Sequence, residues 1–150
     1  MLLQTIHQLL YGTYENLVPK EFAIRALREC PVEKVKMENP DYVANYWRQQ
    51  VQQHPYSNPS VECFIVLLVN TRRRLIGHHL VSIGSLDSVH VHPREVFRAA
   101  IIGAASAILL MHNHPSGDPT PSDADVKVTR DLIRAGQLLK VEVLESRHHR

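Results

Sequence analysis

Cysteine is scarce in this sequence: Cys30 and Cys63 are the only two in 150 residues, and they stand apart in different apolar contexts. That excludes a secreted disulfide framework and points to reduced thiols in a cytoplasmic protein. An excess of charge of either sign is missing too. Lys and Arg number 17 against 15 Asp and Glu, a formal net charge of +2, so no overall electrostatic case for binding nucleic acid arises. Arg72, Arg73 and Arg74 make one small basic knot, which reads as a solvated turn. No uninterrupted apolar stretch approaches the roughly 20 residues of a membrane span. The N-terminal MLLQTIHQLLYG lacks a basic leading region and reads poorly as a signal peptide. Internal repeats and low-complexity tracts are absent as well. An apolar fraction of 44% and a charged fraction of 21% describe an ordinary soluble chain with room for one real core. The cytoplasm is the expected location.

What is present alternates between strand and helix signals. Residues 1–17 read as a short amphipathic helix and 21–32 as an extended segment. Val43, Tyr46, Trp47 and Val51 recur at helical spacing behind Asn39 and Pro40, predicting a helix over 41–53. HPYSNPS, residues 54–60, is a loop and the clearest boundary in the chain. VECFIVLLVN, from Val61, is a strand-length apolar run that predicts a strand buried on both faces. After the turn at 71–74, strands are expected over 75–85 and 88–92. A helix then starts at Pro93, a strand runs through SAILLM to His112, and a helix opens at Ser122 with Val126, Thr129, Ile133 and Leu138 facing inward. A last strand is expected over 140–146. This order favours a mixed α/β sandwich.

The chemistry gathers in LLMHNHPSGDPTPSDADV, residues 109–126. In an extended chain, side chains at i and i+2 share a face, so His112 and His114 can converge on one ion while Asn113 points away. Such a pair needs a third ligand. Asp125, in the first turn of the helix behind the Pro-rich loop, is a candidate, and two imidazoles with one carboxylate make a catalytic type of zinc set. Ser122 and Asp125 equally fit an ordinary capping box. One carboxylate can hardly do both jobs well, and spacing leaves the two readings open. Glu62, a carboxylate at the head of an apolar strand, is placed to have a raised pKa and serve as a general base, or to sit at an exposed strand end. Glu95 is the rival base, although a first-turn carboxylate suits the helix dipole without any chemistry. Asp118 and Asp123 flank the site.

A glutamate before an apolar strand, then His-x-His-Pro, then Ser-x-x-Asp, resembles the JAMM/MPN signature of zinc-dependent deubiquitinases and their bacterial relatives. VHPREVFRAAI followed by HNHPSGDPTPSDADVKVTRDLI is more closely similar to the RadC branch, often labelled DNA repair proteins. The resemblance runs over about residues 40–145. It implies a cytidine deaminase-like α/β sandwich of the JAMM/MPN type, with a mixed curved sheet and flanking helices. It makes His112, His114 and Asp125 zinc ligands and Glu62 the base acting on a zinc-activated water. Ser122 becomes a helper that positions water or stabilises the oxyanion. The chain then divides into an N-terminal extension of unknown role, 1–40, and a RadC-like JAMM/MPN domain, 41–150. The helix-hairpin-helix region usual in RadC chains is not found. The family pattern continues past EVL where this chain reads ESRHHR, so the sheet is expected to be shortened at its C-terminus.

Two functions follow from the resemblance. One is a zinc metallopeptidase acting on a peptide or isopeptide-linked protein. The other is a non-catalytic interaction module tied to DNA repair or mobile elements. A nuclease or deaminase is disfavoured, because the H-x-E and P-C-x-x-C signatures of zinc deaminases are missing. Iron, manganese and cobalt suit the same ligand set as zinc.

Overall fold

The structure is a computed structural model, and it describes residues 37, 39–55, 57–84, 91–118 and 120–144. The expected helix at 1–17, the extended stretch at 21–32 and Cys30 lie outside them. The described chain is α/β. Its elements are α1 (Pro40–Tyr46) running into a π-helical turn (Trp47–Val51), β1 (Cys63–Val69), β2 (Leu75–Ile83), α2 (Pro93–Ile102), β3 (Ala107–His112), α3 (Asp123–Leu139) and β4 (Glu142–Leu144). Four strands form one mixed sheet in the order β2-β1-β3-β4. β1 pairs antiparallel with β2 and β3, while β3 and β4 run parallel, joined across α3.

All seven residues of β1 are buried, as the unbroken apolar run predicts. Alternation divides them between two cores. Cys63, Ile65, Leu67 and Val69 pack with Val43, Tyr46 and Val51 of the first helical segment. Phe64, Val66 and Leu68 pack with Val96 and Phe97 of α2 and Leu132 of α3. The sheet is thus covered on both faces, and α2 and α3 share one of them. Asn39 caps α1 by accepting the Asp41 N–H at 2.9 Å, with Pro40 in the first turn. The arginine knot is a turn: the Asn70 side chain accepts from the N–H of Arg72 and Arg74, at 2.9 and 3.1 Å. Arg73, at φ 59°, pairs with Glu142 of β4 at 2.7 Å.

Two expectations are corrected. The strand over 88–92 does not include Val91 and His92 (88–90 lie outside the described residues). Extended backbone at His92, φ −105° and ψ 134°, is what a residue before proline adopts, and its ring caps α2 by accepting the Arg94 N–H at 3.1 Å. The inward face of α3 is also rotated from the one predicted. Leu132 and Gly136 are buried, Thr129 and Ile133 are half-buried, and Val126 and Leu138 are exposed at 47% and 85%. Asp125, seven residues before Leu132, lies on the buried side by helical spacing and is half-buried. The capping box sets that phase, and a reading of apolar spacing alone passes over a carboxylate that faces in. The last strand starts at Glu142 and is described to Leu144, with 145–146 of the expected span outside the described residues. Among the described residues, no helix is long and apolar enough to cross a membrane.

Candidate metal centre

Three elements meet where β3 ends. β1 and β3 are paired with Phe64 opposite His112, so the segment before Cys63 runs beside the segment after His112. Strand alternation places Glu62 and Phe64 on the face that carries His112 and His114. The Phe64 and His112 rings stack at 5.9 Å between centroids and 6° between planes, which fixes one imidazole against the apolar core. α3 then brings Asp125 over the same face.

The three predicted ligands come together. Ligand atoms of His112, His114 and Asp125 all lie within 4.8 Å of one another. His112 Nε2 is 2.8 Å from His114 Nε2 and 3.7 Å from Asp125 Oδ1. Ligands of a tetrahedral zinc at about 2.0–2.1 Å stand about 3.3–3.4 Å apart, so the imidazoles need to part by only about half an ångström. Two imidazole nitrogens and one carboxylate oxygen also leave a coordination position open, as in catalytic zinc sites. Side-chain exposures of 20% for His112 and 21% for Asp125 leave the position reachable from solvent.

The capping box and an oxygen facing His112 coexist on Asp125, so the two roles that the sequence sets in conflict do not exclude each other. Its Oδ2 accepts from the Ser122 N–H at 2.8 Å and the Ser122 hydroxyl at 2.7 Å, while its own N–H donates to Ser122 Oγ at 3.1 Å. That is a full capping box. The other oxygen, Oδ1, is the one near His112. The cap therefore fixes the orientation of the carboxylate and leaves Oδ1 facing the imidazoles. Burial alone raises the Asp125 carboxyl, but the hydroxyl and amide of Ser122, and then His112 and His114, outweigh it and hold the pKa below the ordinary value.

A stability prediction arises here. Ser122→Ala costs about 1 kcal/mol through the lost cap, measured by urea unfolding at neutral pH. Because the folded pKa of Asp125 is depressed, its contribution is present above the unfolded value and is lost as pH falls through the folded one. Ser122→Ala shrinks that acid-side loss.

Glu62 sits next to this group, with its pKa raised by burial first and the Asp125 charge second, and lowered by His114. Its carboxyl therefore feels the charges of both Asp125 and His114. Glu95, the rival, is engaged elsewhere: it pairs with Arg98 at 2.7 Å and Arg94 at 3.4 Å on the surface of α2. Asp118 accepts the Thr120 N–H at 2.9 Å within the loop, and Asp123 opens α3. Cys63 is free and buried, with its thiol pKa pushed up by burial.

Sequence reasoning passed over two residues here. Phe64 braces His112, and alternation from Glu62 gives a signal for it. Asn113, dismissed as pointing away, bonds to the backbone on both sides of Glu62. Only the β1–β3 register reveals that.

Comparison with known proteins agrees with this geometry. A family model described as a RadC-like JAB domain matches residues 37–146. A UPF0758 protein of Caldanaerobacter subterraneus is 42% identical over 125 residues, covering 83% of this chain and 52% of the relative. One from Alkaliphilus metalliredigens is 44% identical over 114 residues, 76% of this chain and 47% of the relative. One from Moorella thermoacetica is 52% identical over 84 residues, 56% of this chain and 37% of the relative. The chain thus spans about half the length, or less, of these curated relatives.

Proposed function

Because this chain belongs to the RadC-like JAB domain family, we propose that it is a zinc-dependent hydrolase of the JAMM type, cleaving a peptide or isopeptide bond of a protein substrate. The observation that carries the reading is the convergence of His112, His114 and Asp125 within 4.8 Å, with Glu62 beside them. Zinc held there would supply Lewis acidity, able to polarise a carbonyl and acidify water.

The chain's own residues do the rest. His112, His114 and Asp125 would hold the ion, with Phe64 and Ser122 fixing two of them. Glu62 takes the proton from the attacking water and returns it to the leaving amine. Burial raises its pKa in the metal-free protein, with the Asp125 charge adding to the rise. Ser122, with its hydroxyl engaged by Asp125, acts first by steadying that ligand, and stands at the rim of the site to position water or oxyanion. The scarcity of cysteine supports a cytoplasmic setting. The test is cleavage of a panel of peptides and isopeptide-linked conjugates by the zinc-loaded protein. The reading expects turnover that a chelator abolishes and zinc restores. Stoichiometric zinc with no turnover on any of them favours a non-catalytic interaction module instead.

A further inference from the structure

Asn113 stands between the two histidine ligands, yet its side chain serves the neighbouring strand. Its Oδ1 accepts the Cys63 N–H at 2.8 Å, and its Nδ2 donates to the Val61 carbonyl at 2.9 Å. Those two backbone groups flank Glu62. Phe64 and His112 are paired at the end of the β1–β3 ladder, and beyond them the Asn113 amide supplies the donor and acceptor that a strand backbone would have offered. From the β2 side, the Gly84 N–H donates to the Glu62 carbonyl at 2.8 Å. The backbone of residue 62 is therefore tied on both sides.

We propose that Asn113 is the positioning residue of the site: by bonding to Val61 and Cys63 it locks Glu62 in register with His112 and His114. The inference rests on the metal-hydrolase reading above. Its physical basis is that one residue is bonded covalently to both sides of the ligand pair and by hydrogen bonds to both sides of the base. Base and ligands then move as one body. Without the amide, two backbone polar groups lose their partner and the head of β1 is free to shift. A displacement on the order of 1 Å at a catalytic group is enough to lose most of its effect.

The test uses the full chain with zinc ion alone as the probe, comparing wild type with Asn113→Ala and Asn113→Asp. Three quantities are followed by NMR and elemental analysis: zinc bound per chain, amide exchange at Cys63, and the zinc-induced change in the carboxyl carbon signal of Glu62. Asn113→Ala is expected to bind the wild-type amount of zinc and to exchange the Cys63 amide roughly tenfold faster or more. Its zinc-induced change at Glu62 falls to less than about half. Asn113→Asp, which keeps the acceptor and loses the donor, falls between, and carries the test if the alanine variant does not fold.

A folded variant with unchanged Cys63 exchange, or with an unchanged Glu62 response to zinc, overturns the proposal. So does loss of zinc itself, because Asn113 would then be supporting the ligands and not the base. Failure of the wild type to bind zinc sinks the metal reading separately, and Cys63 exchange then decides the clamp alone.

Discussion

Glu62→Gln is expected to keep its zinc and to lose at least about a hundredfold of the hydrolytic rate, the scale on which a positioned general base contributes. Glutamine has the same shape and hydrogen-bonding reach, so the ligands and the two backbone ties at residue 62 survive the change. What disappears is the ability to hold a proton. Since burial and the Asp125 charge raise the Glu62 pKa in the metal-free protein, its carboxyl there should titrate above the ordinary glutamate range. Stability carries the signature of that shift in metal-free protein. With a raised folded pKa, the native state holds its proton longer than the unfolded chain, so stability falls as pH rises from the unfolded value through the folded one. The glutamine variant lacks that fall and gains on the wild type above it. A rate loss accompanied by loss of zinc would instead make Glu62 a support of the ligands.

Gly136→Ala carries the largest expected cost to stability. At an exposed helical position this substitution gains about 1 kcal/mol from helix propensity. Here an added Cβ would stand 2.5 Å from the Val141 carbonyl oxygen, 3.0 Å from Val143 and 3.2 Å from Phe97. Backbone cannot swing aside as a flexible side chain can, so α3 must part from the chain entering β4. Overpacking of this kind costs about 1–3 kcal/mol and overrides the propensity gain. Thermal melting should show a decrease of roughly 4 °C per kcal/mol for a chain of this size, and Gly136→Val a larger one. Asp125 rides on the same helix, so the shift reaches the site and weakens zinc retention. A melting temperature equal to or above the wild-type value would mean that β4 yields freely and that the close approach is incidental.

The parts of this structure that were legible in sequence are those specified locally. An unbroken apolar run gives a doubly covered strand at Cys63–Val69, and Asn39 with Pro40 marks a helix start. The grouping of His112, His114 and Asp125 was legible because the two histidines share a strand face and because Ser-x-x-Asp fixes where α3 begins. What escaped depends on register between segments far apart in the chain. Nothing near Asn113 shows that Val61 and Cys63 lie alongside it. Nothing near Gly136 shows that Val141 folds back onto it. The face of α3 was misread for a related reason: its inner stripe includes a carboxylate and a glycine, residues that an apolar count leaves out. His92 shows the converse error, where β-like backbone before a proline imitates a strand but ends as a cap.

The central claim is that residues 109–126 form a zinc site, and zinc content measured by elemental analysis tests it most directly. Wild-type protein is compared with His114→Ala and Asp125→Ala, each shown to be folded by circular dichroism. The account predicts stoichiometric zinc in the wild type and its loss in both variants. A well-folded wild type that takes up no zinc, or zinc retained in both variants, would contradict it and leave Asp125 a helix cap alone.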